Sequence, residues 1–230
     1  MKNLQEQQKR AAEAAVELVQ DGMVVGLGTG STAAHAIRAI AARVAAGLRI
    51  TGIPTSERSR ELATQLGIPL VALERAGQID LTIDGADEFD PSLHLIKGGG
   101  GALLREKIVA FCSNKLVIVT DSSKQVTHLG KFPLPCEVIP FASAAVQSWL
   151  EATYSIQATI RQDKVNADKH FYTDQGNLIL DCHFGKIANP TDLAAELSRV
   201  PGLVEHGLFT GMADLVIMAA ESAIEQFPRK

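Results

Sequence analysis

The chain predicts an α/β fold: a mainly parallel sheet with helices on both faces, joined to a smaller α+β domain. Three observations carry this. Short apolar runs alternate with helical patterns through the first 120 residues, as buried parallel strands and their crossovers do. Near residue 130 the pattern changes at a proline-rich joint, Phe132-Pro133-Leu134-Pro135, beyond which the runs are longer and more polar. Beyond Pro201-Gly202, the apolar run Leu215-Val216-Ile217-Met218 returns the chain to the first kind of sheet.

In order, residues 4–20 form an Ala-, Glu- and Gln-rich helix. Its stripe is Leu4, Ala11, Ala15, Leu18 and Val19, and Gly22 can supply a left-handed cap. Met23-Val24-Val25-Gly26-Leu27 is a buried strand, followed by a glycine-rich turn and a helix to about Ala46. A second strand spans 48–53, and Ser56 is placed to cap a helix ending near Gly67, with Glu57 suiting its N-terminal dipole. Strands follow at 79–83 and 93–96, then a helix over 101–113 and a strand over 116–120. In the polar region, 155–161 alternates like a strand with one wet face. The turn Asp174-Gln175-Gly176-Asn177 predicts a hairpin joining 170–172 to 178–180. A helix follows over 190–199. The expected domains are 1–130 plus 206–230, and 131–205.

The 230 residues are 46% hydrophobic and 21% charged, enough apolar surface for a sizeable core. A formal charge of −4 gives no general attraction for nucleic acid or anionic membranes, so an anionic substrate needs a local site. Cys112, Cys136 and Cys182 lack the spacing of a zinc site or a disulfide framework. The opening stretch MKNLQEQQKRAAEAAVELVQDG has neither the apolar core nor the cleavage site of a signal peptide, and no run is long enough to span a bilayer. A cytoplasmic location is expected.

Four polar, glycine-rich segments fall where the C-terminal ends of parallel strands are expected, the edge where open α/β sheets bind ligands. They are 26–32, 54–56, 84–88 and 97–101, and a single cleft would gather them. The first, GLGTGST, reads as a phosphate-type loop. Glycines admit an anion to the backbone, the hydroxyls of Thr29, Ser31 and Thr32 donate, and a helix N-terminus supplies unpaired N–H groups. Gly28, Gly30 and Ala33 also satisfy the dinucleotide pattern G-x-G-x-x-A. The next strand ends in Pro54-Thr55-Ser56, where a ribose-binding carboxylate belongs, and only Glu57 is near. A tight strand-to-helix turn with an ordinary cap is the plainer alternative.

Asp84-Gly85-Ala86-Asp87-Glu88 crowds three carboxylates after a buried strand, which costs energy unless hydroxyls, a cation or a lysine meet them. A magnesium site is the rival reading, yet the spacing fits neither an EF-hand nor an Asp-x-Asp phosphatase. A solvated acidic turn is equally compatible. Lys97 followed by Gly98, Gly99, Gly100 and Gly101 is a costly run, implying that backbone approaches something closely beside a helix N-terminus. A flexible linker is the alternative. Arg105-Glu106-Lys107 and Lys124 by themselves read as solvated positions, and none of the six histidines has metal-ligand spacing.

As a set, GLGTGSTAAHAI, IDGADE, IKGGGGALLREKIVA, DSSKQVTHLGKFPLPCEVIP, GNLILD and GLFTGMADLVIMA resemble the ribose-5-phosphate isomerase A family, in order over nearly the whole chain. Leu104 stands where many members carry a small hydroxyl residue and Gly101 where alanine is common; neither is a catalytic position. The resemblance implies a Rossmann-like domain with a smaller inserted α+β domain. The activity it implies is interconversion of ribose 5-phosphate and ribulose 5-phosphate, in the non-oxidative pentose phosphate pathway. It implies Glu106 as general base, with Asp84, Asp87 and Lys97 assisting ring opening and enediolate formation. Residues 29–32 (Thr29, Gly30, Ser31, Thr32), Asp84, Gly85, Ala86, Asp87, the loop Lys97, Gly98, Gly99, Gly100, and Lys124 are the implied substrate contacts. It further implies no metal, no cofactor, and a homodimer or homotetramer whose partner is a small sugar phosphate, not nucleic acid or membrane.

Two other classes remain to be weighed. A sugar-phosphate sensor would need a DNA-binding segment, and the first helix runs directly into a buried strand. A nicotinamide-dependent oxidoreductase would rest on the G-x-G-x-x-A match alone.

Overall fold

The computed structural model describes residues 2–229. In chain order its first elements are α1 (Lys2–Val16), β1 (Val24–Leu27), α2 (Ser31–Ala45), β2 (Thr51–Pro54), α3 (Glu57–Gln65) and β3 (Leu81–Asp84). Then come β4 (Glu88–Phe89), β5 (Leu95–Ile96), α4 (Leu103–Phe111), β6 (Leu116–Asp121), β7 (Leu134–Val138) and α5 (Ser143–Tyr154). The last are β8 (Gln157–Ile160), β9 (Leu178–His183), α6 (Pro190–Leu197), β10 (Leu203–His206), β11 (Leu208–Phe209), β12 (Leu215–Ala219) and β13 (Ile224–Pro228). Two compact units result. The first takes the chain up to Ala86, Arg105–Gln125, and the segment from Gly211; the second takes Asp87–Leu104 and Val126–Thr210.

The first unit is built on a six-stranded sheet of order β13-β12-β6-β3-β1-β2. Five strands are parallel, and β13 closes the edge antiparallel to β12. One face buries the alanine stripe of α1 (Ala11, Ala12, Ala15) and Ile37 and Ile40 of α2 against Val25, Leu27, Leu81, Ile83, Val117 and Val119. The other face packs Val109 of α4 with Ile53 and Ile79. Gly26 makes that approach possible, because a Cβ there would lie 2.9 Å from Val109 Cγ1 and overlap Thr82 Oγ1. β1 pairs with β2 on one side and β3 on the other, so the strand order reverses at β1, where such sheets bind ligands.

The second unit holds a four-stranded antiparallel sheet, β10-β7-β9-β8, and a three-stranded one, β11-β5-β4. In the larger sheet Leu134, Cys136, Val138, Leu178, Leu180, Cys182 and Ala158 point to one side. There they bury Val146 and Leu150 of α5 and Leu193, Ala194 and Leu197 of α6. Pro135, Glu137, Ile179 and Asp181 alternate to the opposite face. The cysteines are free thiols, two of them buried.

Two local expectations are corrected. Residues 170–172 do not form a hairpin arm with 178–180; β9 pairs with β7 and β8 instead. The 170–172 backbone is spent elsewhere, through a bridge of His170 to Gln162 and a bond from the Phe171 amide to the Arg161 carbonyl at 2.9 Å. The fourth glycine-rich segment follows no parallel strand. It follows β5 of the three-stranded antiparallel sheet, where the Lys97 amide donates to the Gly207 carbonyl at 2.9 Å. Among the described residues no helix is long and apolar enough to cross a membrane.

Candidate functional site

In the first unit, the loops after β1 and β3 meet at the strand-order reversal. Asp84, 1% exposed, ends β3, and its Oδ1 accepts from the amides of Thr29 at 3.0 Å and Gly85 at 2.8 Å. The Gly28 amide donates to the Ile83 carbonyl at 3.0 Å. A Cβ on Gly28 would fall 2.5 Å from the Asp84 Cα, so only glycine lets the two loops close on each other. Gly30 (φ 111°) turns the chain into α2, which presents its unbonded amides, the exposed Ser31 and the buried Thr32 at this edge. Gly85 and Ala86 continue from Asp84, both half-buried.

The Thr29 hydroxyl does not face outward as the loop pattern predicts. Its Oγ1 lies 2.8 Å from Thr55 Oγ1, 2.7 Å from Ser56 Oγ and 3.1 Å from Ser59 Oγ. This buried hydroxyl cluster ties the turn to α3, whose Ser56 cap accepts from the Ser59 amide as expected. A ribose-binding carboxylate after β2 is also missing. Glu57 instead takes Arg105 Nη1 at 2.9 Å and Arg60 Nε, and those guanidiniums, Arg105 foremost, hold its carboxyl below the ordinary range. The G-x-G-x-x-A match therefore lacks the partner a dinucleotide site needs.

Glu106 lies in the first turn of α4, 3% exposed. It shares the buried stripe of that helix with Leu103 and Ala110, while Ile108 and Phe111 face outward. Spacing alone reads Arg-Glu-Lys as a solvated face; the structure buries its carboxylate. Lys124, half-buried, closes the 3₁₀ turn after β6. That turn is fixed by Asp121, which accepts from the Ser123 amide and from Gln8 Nε2 at 2.9 Å, and by Gln7, which bonds the Ser122 hydroxyl at 3.1 Å. These α1 glutamines carry no motif and were not identified from the sequence.

In the second unit, Asp87 and the glycine run form one structure. Asp87 Oδ2 accepts from the Gly99 amide at 2.7 Å, and the Asp87 amide donates to the Ile96 carbonyl at 2.8 Å. A Cβ on Gly99 would meet the Asp87 carboxylate, and one on Gly101 the Phe171 ring. Lys97 is 2% exposed, its ammonium 5.4 Å from the Phe209 ring centroid. Gly98 is buried, Gly99 half-buried and Gly100 exposed. Glu88, the third acid of the cluster, is bound to backbone. It is buried and accepts from the amides of Gly130 and Phe132 at 2.8 and 2.6 Å. Among the described residues, no group of three or more His, Cys, Asp or Glu could hold a metal ion.

Residues 51–223 match the family model described as ribose 5-phosphate isomerase A (phosphoriboisomerase A). The ribose-5-phosphate isomerase A of Bradyrhizobium diazoefficiens is 48% identical over 99% of this chain and 98% of its own. That of Agrobacterium fabrum is 51% identical over 91% and 92%. Among solved structures, a D-ribose-5-phosphate isomerase in complex with phospho-erythronic acid superposes with a TM-score of 0.95 at 37% identity, covering 98% of this chain and 99% of that one. The ribose 5-phosphate isomerase A of Methanocaldococcus jannaschii gives 0.92 at 41% identity, covering 97% and 98%.

Proposed function

The chain belongs to the ribose 5-phosphate isomerase A family, and from that premise we propose that it interconverts ribose 5-phosphate and ribulose 5-phosphate through a cis-enediolate, with Glu106 as general base. The observation that carries the reading is the placement of Glu106 on the buried stripe of α4, where a carboxylate has no purely structural advantage over an apolar residue.

In the open-chain aldose, the Glu106 carboxylate removes the proton from C2, and the C2–H electron pair forms the C1–C2 double bond as charge moves to O1. The protonated carboxyl then returns the proton to C1. The hydroxyl proton of C2 passes to O1, and the carbonyl is left at C2. Atoms and electrons balance without an external oxidant. Asp84, Asp87 and Lys97 assist ring opening and stabilise the enediolate, where a lysine and backbone amides are most effective in a water-poor setting. Residues 29–32, the 97–100 loop and Lys124 hold the substrate. The resemblance of the sequence extends this reading to a metal-free, cytoplasmic homodimer or homotetramer of the non-oxidative pentose phosphate pathway.

The test is to incubate chelator-treated protein with ribose 5-phosphate in deuterated water. Ribulose 5-phosphate carrying solvent deuterium at C1 supports the proton route. In ordinary water, complete retention at C1 of a deuterium initially placed on C2 would replace it with a hydride shift, and absence of any ketose would end the proposal.

A further inference from the structure

The glycine run is held from beneath by a residue the motifs do not include. Arg161 follows β8 and Asp181 lies on β9, diagonal neighbours on the face of the four-stranded sheet opposite its helices. The Asp181 carboxylate takes two prongs of the guanidinium, Nε at 2.9 Å and Nη2. The remaining nitrogen, Nη1, donates to the Gly98 carbonyl at 2.8 Å and lies 3.4 Å from that of Gly99. The Arg161 side chain is only 11% exposed. Around it, the bare Cα of Gly98 sits where a Cβ would come 3.2 Å from Pro135, and Phe171, bonded to the Arg161 carbonyl, covers Gly101.

The direction of those carbonyls has a consequence. In a trans peptide the C=O and the following N–H point opposite ways. Drawing the Gly98 oxygen toward Arg161 therefore aims the Gly99 amide away from it, and that amide reaches Asp87. Drawing the Gly99 oxygen the same way aims the Gly100 amide likewise. Four consecutive glycines would otherwise sample many such orientations. A planar guanidinium locked on a carboxylate selects one, which a lysine ammonium cannot do.

We propose that Arg161, oriented by Asp181, is a positioning residue for the isomerisation: it fixes the amides of Gly99 and Gly100 and the carboxylate of Asp87 in their working geometry. This rests on the reading of the 97–100 loop as substrate-binding. In this role Arg161 acts through the loop it holds, by its bonds to Gly98 and Asp181.

The full-length protein and the variants Arg161→Lys, Arg161→Ala and Asp181→Asn are compared by kcat and KM on ribose 5-phosphate, melting temperature, and amide exchange over 97–101. Arg161→Lys is expected to lower kcat about 10- to 10²-fold, the scale of a small misplacement of catalytic groups. Its melting temperature should stay within a few degrees of wild type while exchange at the glycine run accelerates. Asp181→Asn should shift both in the same direction by less, and added guanidinium should restore part of the rate of Arg161→Ala. Wild-type turnover in a folded Arg161→Lys overturns the proposal. So does activity lost only in step with global unfolding, with no rescue by guanidinium. If the wild type itself fails to isomerise ribose 5-phosphate, the functional reading falls instead, and exchange at 97–101 still decides whether Arg161 governs the turn.

Discussion

Asp84 Oδ1 accepts the amides of both Thr29 and Gly85, so one carboxylate oxygen at the end of β3 organises two loops at the reversal of strand order. The two backbone donors fix the orientation of this buried carboxylate. The glycine-rich turn after β1 is thus shaped by Asp84 as much as by its own sequence. Loss of register between the two should be felt in the chemistry before it is felt in the fold.

Gly28→Ala tests that coupling. The new methyl would sit against the Cα and carboxylate of Asp84, and one loop must move. A destabilisation of about 1–3 kcal/mol is expected from overpacking. In a chain of this size that corresponds to a melting-temperature drop of roughly 2–12 °C. Activity on ribose 5-phosphate should fall by at least about tenfold at temperatures where the variant is folded. A variant of full activity would show that the contact of the two loops has no bearing on catalysis.

Glu106→Gln keeps shape and burial and removes the base. General acid–base catalysis is worth about 10²–10⁴-fold, so kcat should fall by at least roughly 10²-fold. Binding of inorganic phosphate, measured calorimetrically, should be little changed, since the interaction removed belongs to the transition state. Near-normal turnover would remove Glu106 from the mechanism.

The parallel strands were legible because each is a short apolar run bounded by glycine or polar turns, and a strand buried on both faces needs nothing more. The exposed β13 shows no such run; of its residues only Phe227 is even half-buried. β4 and β11 have two residues each, too short for any period to register, while the equally short β5 falls within the strand expected over 93–96. In α5, Val146 and Leu150 alone are buried, so its stripe is thin. For the site, glycines and acids next to strand ends marked the loops, but the burial of Glu106 depends on which face of α4 the tertiary fold covers. Arg161 was invisible for a different reason: its carbonyl partner at Gly98 lies 63 residues away, and nothing local distinguishes it.

Ser56→Ala should lower stability without touching the chemistry directly. The Ser56 hydroxyl caps α3 through the Ser59 amide and takes the Thr29 hydroxyl. Its loss costs about 1–2 kcal/mol, combining a missing cap with a buried hydroxyl deprived of one partner. Denaturant unfolding should show a lower midpoint at unchanged slope. Unchanged stability would mean that the hydroxyl cluster contributes nothing to holding the turn after β1 against α3.

Glu137 provides a pH dependence separate from catalysis. It is fully buried on β7, and its Oε1 accepts from Thr173 Oγ1 at 2.8 Å and Asn177 Nδ2 at 2.9 Å. Burial pushes its carboxyl above the ordinary range, reinforced by Glu205 and Asp174, and outweighs the hydrogen bonds from Asn177 and Thr173. The folded state therefore holds this proton more tightly than the unfolded chain. Its stabilising contribution is complete below the unfolded pKa near 4.5 and is lost as pH rises through the folded value. Glu137→Gln removes that loss. The melting temperature of the variant, relative to wild type, should rise as pH is taken from about 4 to 8. A difference that stayed constant over the window, or fell, would show that Glu137 is not held protonated by the fold.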